Sequence, residues 1–569
     1  MSPENSESAL FEIGLVMAGA VSAGAYTAGV IDFLFQALDE WYDLKQQSPS
    51  EAPPHDIRLR VISGSSAGGM TAAVIAAMAH SDITHITGLY NAPPADREID
   101  GNKLYDSWVE QIDLSWLLQT EDLADRNSSV KSILDSTVLD RIAKKALSQR
   151  STNASHRYIA DQLHLYLTLT NLQGVPYNIH FKGGSGKGHG LTQHTDHIHF
   201  ILSESDPSIE EAVWLNPRKM HGAPWKLLQD AALATGAFPG GLAPRILSRS
   251  IQHYNHRDWP VPQRSEDVSK PSQCTKMVNI LPSWPDQSPE TFNFLSVDGG
   301  VMDNEPLELT RRTLADRSGY NARTPEHARR AVIMIDPFPN ESVYHFKQRN
   351  ELDNADIVQV FKQLFGSLMA QARFKPDELM LANSDEVYSR YMIAPTRRTD
   401  EGDKARFPIA SGTMGGFGGF LSKSFRMHDF QLGRRNCQQF LRKYFAIPLE
   451  NARRNPVFSR YEEEDFQRFK IERDGREFLP LIPLTGAAGK EAKPIEWNDI
   501  GIKNERLDEL SLQITNRTKV VVNRLADQYI GNIFTRWLAK LIARLKRKSI
   551  VKGIMEMIEK DLDTFKLKT

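Results

Sequence analysis

Residues 57–79 read IRLRVISGSSAGGMTAAVIAAMA, and this stretch decides the fold. Ile57, Leu59 and Val61 alternate, which is the period of a strand. From Ala67 onward the spacing becomes that of an alanine-rich helix over 67–79. Between the two lies a tight turn, Gly64-Ser65-Ser66-Ala67-Gly68. The same plan occurs once upstream: 12–17 (EIGLVM) reads as a short buried strand, a turn of small residues follows, and 25–40 is an apolar-periodic helix.

Further strands are expected at Leu163–Leu172, Phe292–Val297 and Ala331–Ile335. Strands alternating with helices imply an α/β fold with a mostly parallel central sheet covered on both faces. After about residue 345 charged segments with helical spacing dominate, at 351–373, 376–390 and 503–545, with loops expected over 390–420 and 480–500. The organisation read from this is an α/β domain over 10–345 and a largely helical region over 346–569.

Composition narrows the function. The 569 residues are 40% hydrophobic and 25% charged, ordinary for a globular chain, and the net charge of −2 argues against nucleic acid as a partner. Cys274 and Cys437 are far apart and make neither a disulfide framework nor a metal-ligand spacing. Such usage suits a reducing compartment, so the expectation is a cytoplasmic protein or one peripheral on the inner face of a membrane. The 19 uncharged residues from Ile13 to Ile31 are about the length of a membrane span. Their small-residue centre, AGAVSAGA, suits a strand–helix turn better, and the acidic flank Glu4, Glu7 and Glu12 does not suit a signal peptide.

Three motifs carry chemistry. Gly64 to Gly68 match G-x-S-x-G around Ser66, the pattern of a sharp turn that exposes a nucleophilic serine between a strand and a helix. A serine needs a base. No histidine sits in a convincing post-strand loop, but Ser296-Val297-Asp298-Gly299-Gly300 places Asp298 at a strand's carboxyl end, where sites of parallel sheets gather. The third is the turn Gly19-Ala20-Val21-Ser22-Ala23-Gly24, whose N–H groups could hold an anion at a helix start. It matches neither the dinucleotide nor the P-loop spacing. Taken singly, Gly64–Gly68 also reads as a plain strand–helix turn and Asp298-Gly299 as a plain Asp-Gly turn.

Together and in this order, with Ala237-Phe238-Pro239-Gly240-Gly241 between the serine and the aspartate, the motifs resemble those of the patatin-like phospholipases. The resemblance covers about 10–345 and implies a three-layer patatin-like fold. It also implies a lipid acyl hydrolase with Ser66 as nucleophile, Asp298 as general base, the 19–24 turn as oxyanion hole, and no catalytic metal or cofactor. The substrate it implies is a lipid, phospholipid above all. The family's turn usually reads G-G-G-x-[RK]-G, so two glycines and the basic residue are replaced here, and Ser22 is the candidate to lend a hydroxyl instead. Two readings remain beside hydrolysis of phospholipid: an acyltransferase or a neutral-lipid or thioester hydrolase on the same pair, and a membrane-associated scaffold with weakened catalysis.

Other features fit plainer roles. His180, His189, His194, His197 and His199 admit a metal site, but alternation at 197 and 199 suits a hairpin. Residues 412–420 (GTMGGFGGF) read as a linker or as a mobile loop that presents Phe417 and Phe420. Arg536 to Lys552 carries seven positive charges and no negative one, with Trp537, Leu538, Leu541, Ile542 and Leu545 on one helical face. The segment 534–552 therefore fits either a peripheral membrane contact or a surface helix packed on the domain.

Overall fold

The computed structural model describes residues 9–87, 101–125, 127–148, 156–180, 188–264, 273–338, 356–373, 376–399, 401–490, 496–530 and 533–569. Its centre is a nine-stranded mixed, mostly parallel sheet. The strands are β1 (Leu10–Met17), β2 (Asp56–Gly64), β3 (Ile159–Ile179), β4 (His189–Leu202), β5 (Val213–Leu215), β6 (Arg245–Ser250), β7 (Thr291–Asp298), β8 (Arg330–Ile335) and β9 (Arg390–Ile393). Their main order is β9-β8-β1-β2-β3-β4-β5. Strands β9, β8, β1, β2 and β3 run parallel, whereas β3 is antiparallel to β4 and to β7, and β7 to β6.

Helices cover both faces, as the alternation of apolar residues requires. Phe11, Ile13 and Leu15 of β1 and Ile57 and Leu59 of β2 point into the large core shared with α1 (Gly24–Gln47), α2 (Ala67–Met78) and α3 (Ala223–Thr235). Val16, Val61, Val332 and Met334 point the other way, onto Leu307, Leu309 and Leu314 of α4 (Leu307–Ala315). The remaining long helices are α5 (Ile357–Gln371), α6 (Lys423–Lys443), α7 (Asn504–Tyr529) and α8 (Ile533–Phe565).

The uncharged stretch Ile13–Ile31 is divided between β1, the turn and α1. Among the described residues Val21–Gln47 has the length and apolarity of a membrane span, and 94% of its most apolar window is buried inside the fold. The expected boundary near 345 lies outside the described residues, yet chain on its far side belongs to the same architecture. Part of the loop expected over 390–420 is β9, parallel to β8, because Tyr391 and Ile393 bury their side chains at the sheet edge. The expected helix over 376–390 accordingly stops at Ala382. Helix α6 lies across α1 so closely that a Cβ on Gly29 would stand 1.9 Å from the Phe430 carbonyl oxygen. Buried polar groups fasten the same crossing: the Arg434 guanidinium donates to Asp32 and Gln36, and the Asn102 amide donates to Asp32 over 2.7 Å.

The hairpin expected around the histidines is β3–β4. His164 Nδ1 and His199 Nε2 are 2.9 Å apart, and Tyr166 stacks on His199. Burial holds His197 and His199 well below the usual imidazole range, and the arginines Arg257 and Arg249 add to it for both. Among the described residues no three His, Cys, Asp or Glu side chains are arranged to hold a metal ion. The basic run Arg536–Lys552 lies in α8, but the side chains of Trp537, Leu538, Leu541, Ile542 and Leu545 are outside the described residues. The far half of that helix packs on the domain through Val551, Ile558 and Leu562.

The α1–α6 contact makes a direct test. Gly29→Ala forces the two backbones apart and lowers stability by about 1–3 kcal/mol, read as a shift of the urea midpoint. An unchanged midpoint would contradict the described crossing.

Candidate active site

Ser66 stands at the joint of β2 and α2 with φ 49° and ψ −125°, a backbone conformation that an L-residue adopts only when its surroundings enforce it. They do so here. The Ser65 N–H donates to the Met17 carbonyl over 3.2 Å, the Ser66 N–H donates to Thr235 Oγ1 over 2.9 Å, and a Cβ on Gly68 would lie 2.1 Å from the Met17 oxygen. The elbow is thus pressed against the end of β1, which brings the serine beside the turn that leaves β1.

Asp298 reaches the same place from the opposite direction. It ends β7, which runs antiparallel to β3, so the aspartate does not project from a parallel strand as the sequence suggested. Strand β2 pairs with β3 as far as Leu167, and Asp298 pairs with Leu169 just beyond it. Leaving β2 at its end, β3 opens a slot that β7 fills, and the carboxylate arrives over the elbow. Three further bonds fix it: the Asp298 N–H donates to the Ala237 carbonyl over 3.0 Å, Thr170 Oγ1 donates to the Asp298 carbonyl over 2.8 Å, and the Gly300 N–H donates to Oδ1 over 2.8 Å. The first of these gives the segment Ala237–Gly241 its place in the site.

Ser66 Oγ then donates to Asp298 Oδ2 over 2.7 Å. Both residues are buried. Burial pushes the Asp298 carboxyl up to about 7, while the bonds from Ser66 and Gly300 pull it down. Among the described residues neither Ser66 nor Asp298 takes a histidine partner. A hydroxyl held on a carboxylate that titrates near neutrality is equipped to give up its proton.

The turn 19–24 faces this pair. A Cβ on Gly19 would stand 2.9 Å from Ser66 Cβ, so only glycine lets the turn come so near. The Gly19 N–H is engaged, donating to the Asn304 carbonyl over 3.3 Å. The N–H groups of Ala20 and Val21 meet no acceptor among the described residues. Val21 holds φ 47°, a left-handed conformation rare for a β-branched side chain. The turn therefore keeps a glycine-like backbone where glycine is absent.

Ser22 does not point toward a ligand. Its hydroxyl is buried, donates to the Gly416 carbonyl and accepts the Gly419 N–H over 2.9 Å. Arg426 of α6, also buried, donates to the Gly419 carbonyl over 2.8 Å. The glycine run is thus neither linker nor open loop. It folds into short 3-10 turns within Ala410–Gly416, kinked at Thr413–Gly415, and over Gly418–Phe420, with Asp429 accepting the N–H groups of Ala410 and Ser411. Phe417 packs edge-on against Phe238 and Phe420, and Phe420 is buried.

Sequence reasoning missed several groups here. Thr235 carries no local signal beyond standing two residues before Ala237. A buried network follows the Asp-Gly-Gly turn: the Asn304 amide donates to Glu305, and Arg373 bridges Glu305 and Asp336 at 3.0 and 2.7 Å. Burial pushes Glu305 up to about 7 against the pull of Arg373. The run Asp303-Asn304-Glu305 was its available signal.

A serine on a strained strand–helix elbow, bonded to a buried carboxylate at the carboxyl end of a central strand of a three-layer α/β fold, defines the class of the protein. The chain belongs to the patatin-like phospholipase family, which is matched over residues 15–311. It is 36% identical over 535 residues to the uncharacterized protein y4iI of Sinorhizobium fredii, covering 86% of this chain and 72% of that one. A comparison with the crystal structure of VipD from Legionella pneumophila covers 93% of this chain and 88% of that one at 13% identity and a TM-score of 0.20, a likeness that supports no conclusion. Family membership supports a lipid hydrolase activity and implies a lipid substrate.

Ser22→Ala leaves the buried Gly416 carbonyl and Gly419 N–H unpaired at a cost of about 1–3 kcal/mol. Denaturant unfolding should show that loss, and turnover of any ester substrate should fall with it. Wild-type stability in the variant would mean that the clamp is not formed.

Proposed function

We propose that the chain is a phospholipase A-like acyl hydrolase working through a Ser66–Asp298 pair and an acyl-enzyme. The observation that carries this reading is the 2.7 Å bond from Ser66 Oγ to Asp298 Oδ2 within a buried site. Ser66 Oγ attacks the ester carbonyl carbon as its proton passes to Asp298. The negative oxygen of the tetrahedral intermediate is held by the N–H groups of Ala20 and Val21, each such donor being worth a hundredfold or more in rate. The intermediate collapses, Asp298 returns the proton to the leaving alcohol oxygen, and the acyl group stays on Ser66. Water, losing its proton to Asp298, attacks the acyl carbonyl; the second tetrahedral intermediate breaks its bond to Ser66 Oγ, Asp298 returns the proton to that oxygen, and the fatty acid leaves.

Replacing Ser66 by Ala should abolish fatty-acid release from phospholipid and from a nitrophenyl ester. Full activity in that variant would refute the mechanism. Products from a mixed lipid extract distinguish phospholipid from neutral-lipid or thioester cleavage, and transfer to an alcohol from transfer to water.

Asp298 adds a stability signature. Its folded pKa, about 7, lies above the ordinary carboxylate value, so the folded state holds the proton more tightly. The stability this contributes is full below about pH 4 and is lost as pH rises through about 7. Asp298→Asn removes that loss while removing the base. The variant should be inactive, should melt on the order of a few degrees above wild type at pH 8.5, and should melt close to wild type at pH 5. An equal shift at both pH values would contradict the burial argument.

A further inference from the structure

Helix α5 carries an apolar stripe turned outward. Ile357, Val360, Leu364 and Leu368 are 72%, 53%, 52% and 57% exposed. Spaced at three and four residues, they line one face of the helix over about 17 Å of its length. A helix of a globular chain normally turns such a stripe into the core. Met380 on the next helix, Pro376–Ala382, and Met302 on the turn after Asp298 are exposed apolar residues as well.

The stripe is fastened to the active site. Directly after α5 the Ala372 carbonyl accepts the Asn304 N–H over 3.1 Å, and Arg373 joins Glu305 and Asp336. Asn304 in turn supplies the carbonyl that holds Gly19, and its side-chain oxygen lies where a Cβ on Gly300 would come within 2.5 Å. Helix α5 is therefore braced against both the oxyanion turn and the turn carrying the base.

We propose that the exposed face of α5, with Met302 and Met380 beside it, lies in the surface of a lipid aggregate and brings Ser66 to its substrate; this rests on the lipid-hydrolase reading. The occupant is argued from position and chemistry. The face is the exposed apolar side of a single helix, fit to sink into the acyl boundary. It adjoins the one site whose substrate is drawn from such a surface. The stripe itself bears no charge, so the contact should form on zwitterionic lipid. It is distinct from the basic run in α8, which would require anionic lipid.

The test uses the full chain and phosphatidylcholine vesicles, with Val360→Gln, Leu364→Gln and Leu368→Gln combined. Neutral glutamines remove the apolar stripe without adding charge, and circular dichroism and melting check the fold. Wild-type protein should sediment with the vesicles and the triple variant should bind at least tenfold more weakly. Hydrolysis of vesicle phospholipid should fall in proportion, while hydrolysis of a soluble short-chain ester stays within twofold. Sedimentation is repeated in the Ser66→Ala background, so that binding is read even if the hydrolase reading fails. Equal binding of wild type and variant overturns the proposal, as does a wild-type chain that ignores the vesicles. So does a dimer that the variant dissociates, which would assign the face to a second copy. If the triple variant melts early, Leu368→Gln alone should still weaken binding by a factor of three or more, and no change there also overturns it.

Discussion

Asp298 is buried without a counter-charge. Its carboxylate accepts one hydroxyl and one backbone N–H, and among the described residues no cation is paired with it. Asp196 shows the alternative in the same fold: burial would raise its pKa too, but Arg257 and Arg249 outweigh that and keep it ionised. Beside Asp196 the chain places arginines and the carboxyl stays ionised; beside Asp298 it places none, and burial raises the carboxyl. Much of the site follows from that constraint. The slot left between β2 and β3, the antiparallel entry of β7 and the elbow at Ser66 all serve to hold one oxygen against a desolvated carboxylate.

The shape of the turn 19–24 is the second consequence. A turn with Val21 in a left-handed conformation must be held by its neighbours. Ser22 is locked between Gly416 and Gly419, Arg426 holds Gly419, and α6 carrying Arg426 is seated on α1 by the contact at Gly29. Chain well beyond the matched family segment thus stabilises a turn at residue 20. The partners of Ser22 come from 394 and 397 residues further along the chain.

How much of this was legible in the sequence depends on the range of the interaction. The elbow was legible, because a switch from period two to period 3.6 across Gly64–Gly68 is local. The residues of the pair were legible through their motifs. The approach of Asp298 was not: strand direction is set by pairing with β3, more than a hundred residues away. Nor was the clamp, because a run such as GTMGGFGGF has the composition of a flexible loop, and only its packing against Ser22, Asp429 and Arg426 makes it rigid. Thr235 and Arg373 act through single long-range hydrogen bonds and ion pairs that leave no periodic trace.

The central claim is that a buried, near-neutral carboxylate activates Ser66. The most direct measurement is the rate at which a fluorophosphonate labels the intact chain, followed by mass, between pH 5 and 9. The account predicts a single adduct on Ser66, with a rate that rises as Asp298 loses its proton near pH 7 and levels off above it. No adduct on Ser66, or a rate that does not change across that range, would contradict it.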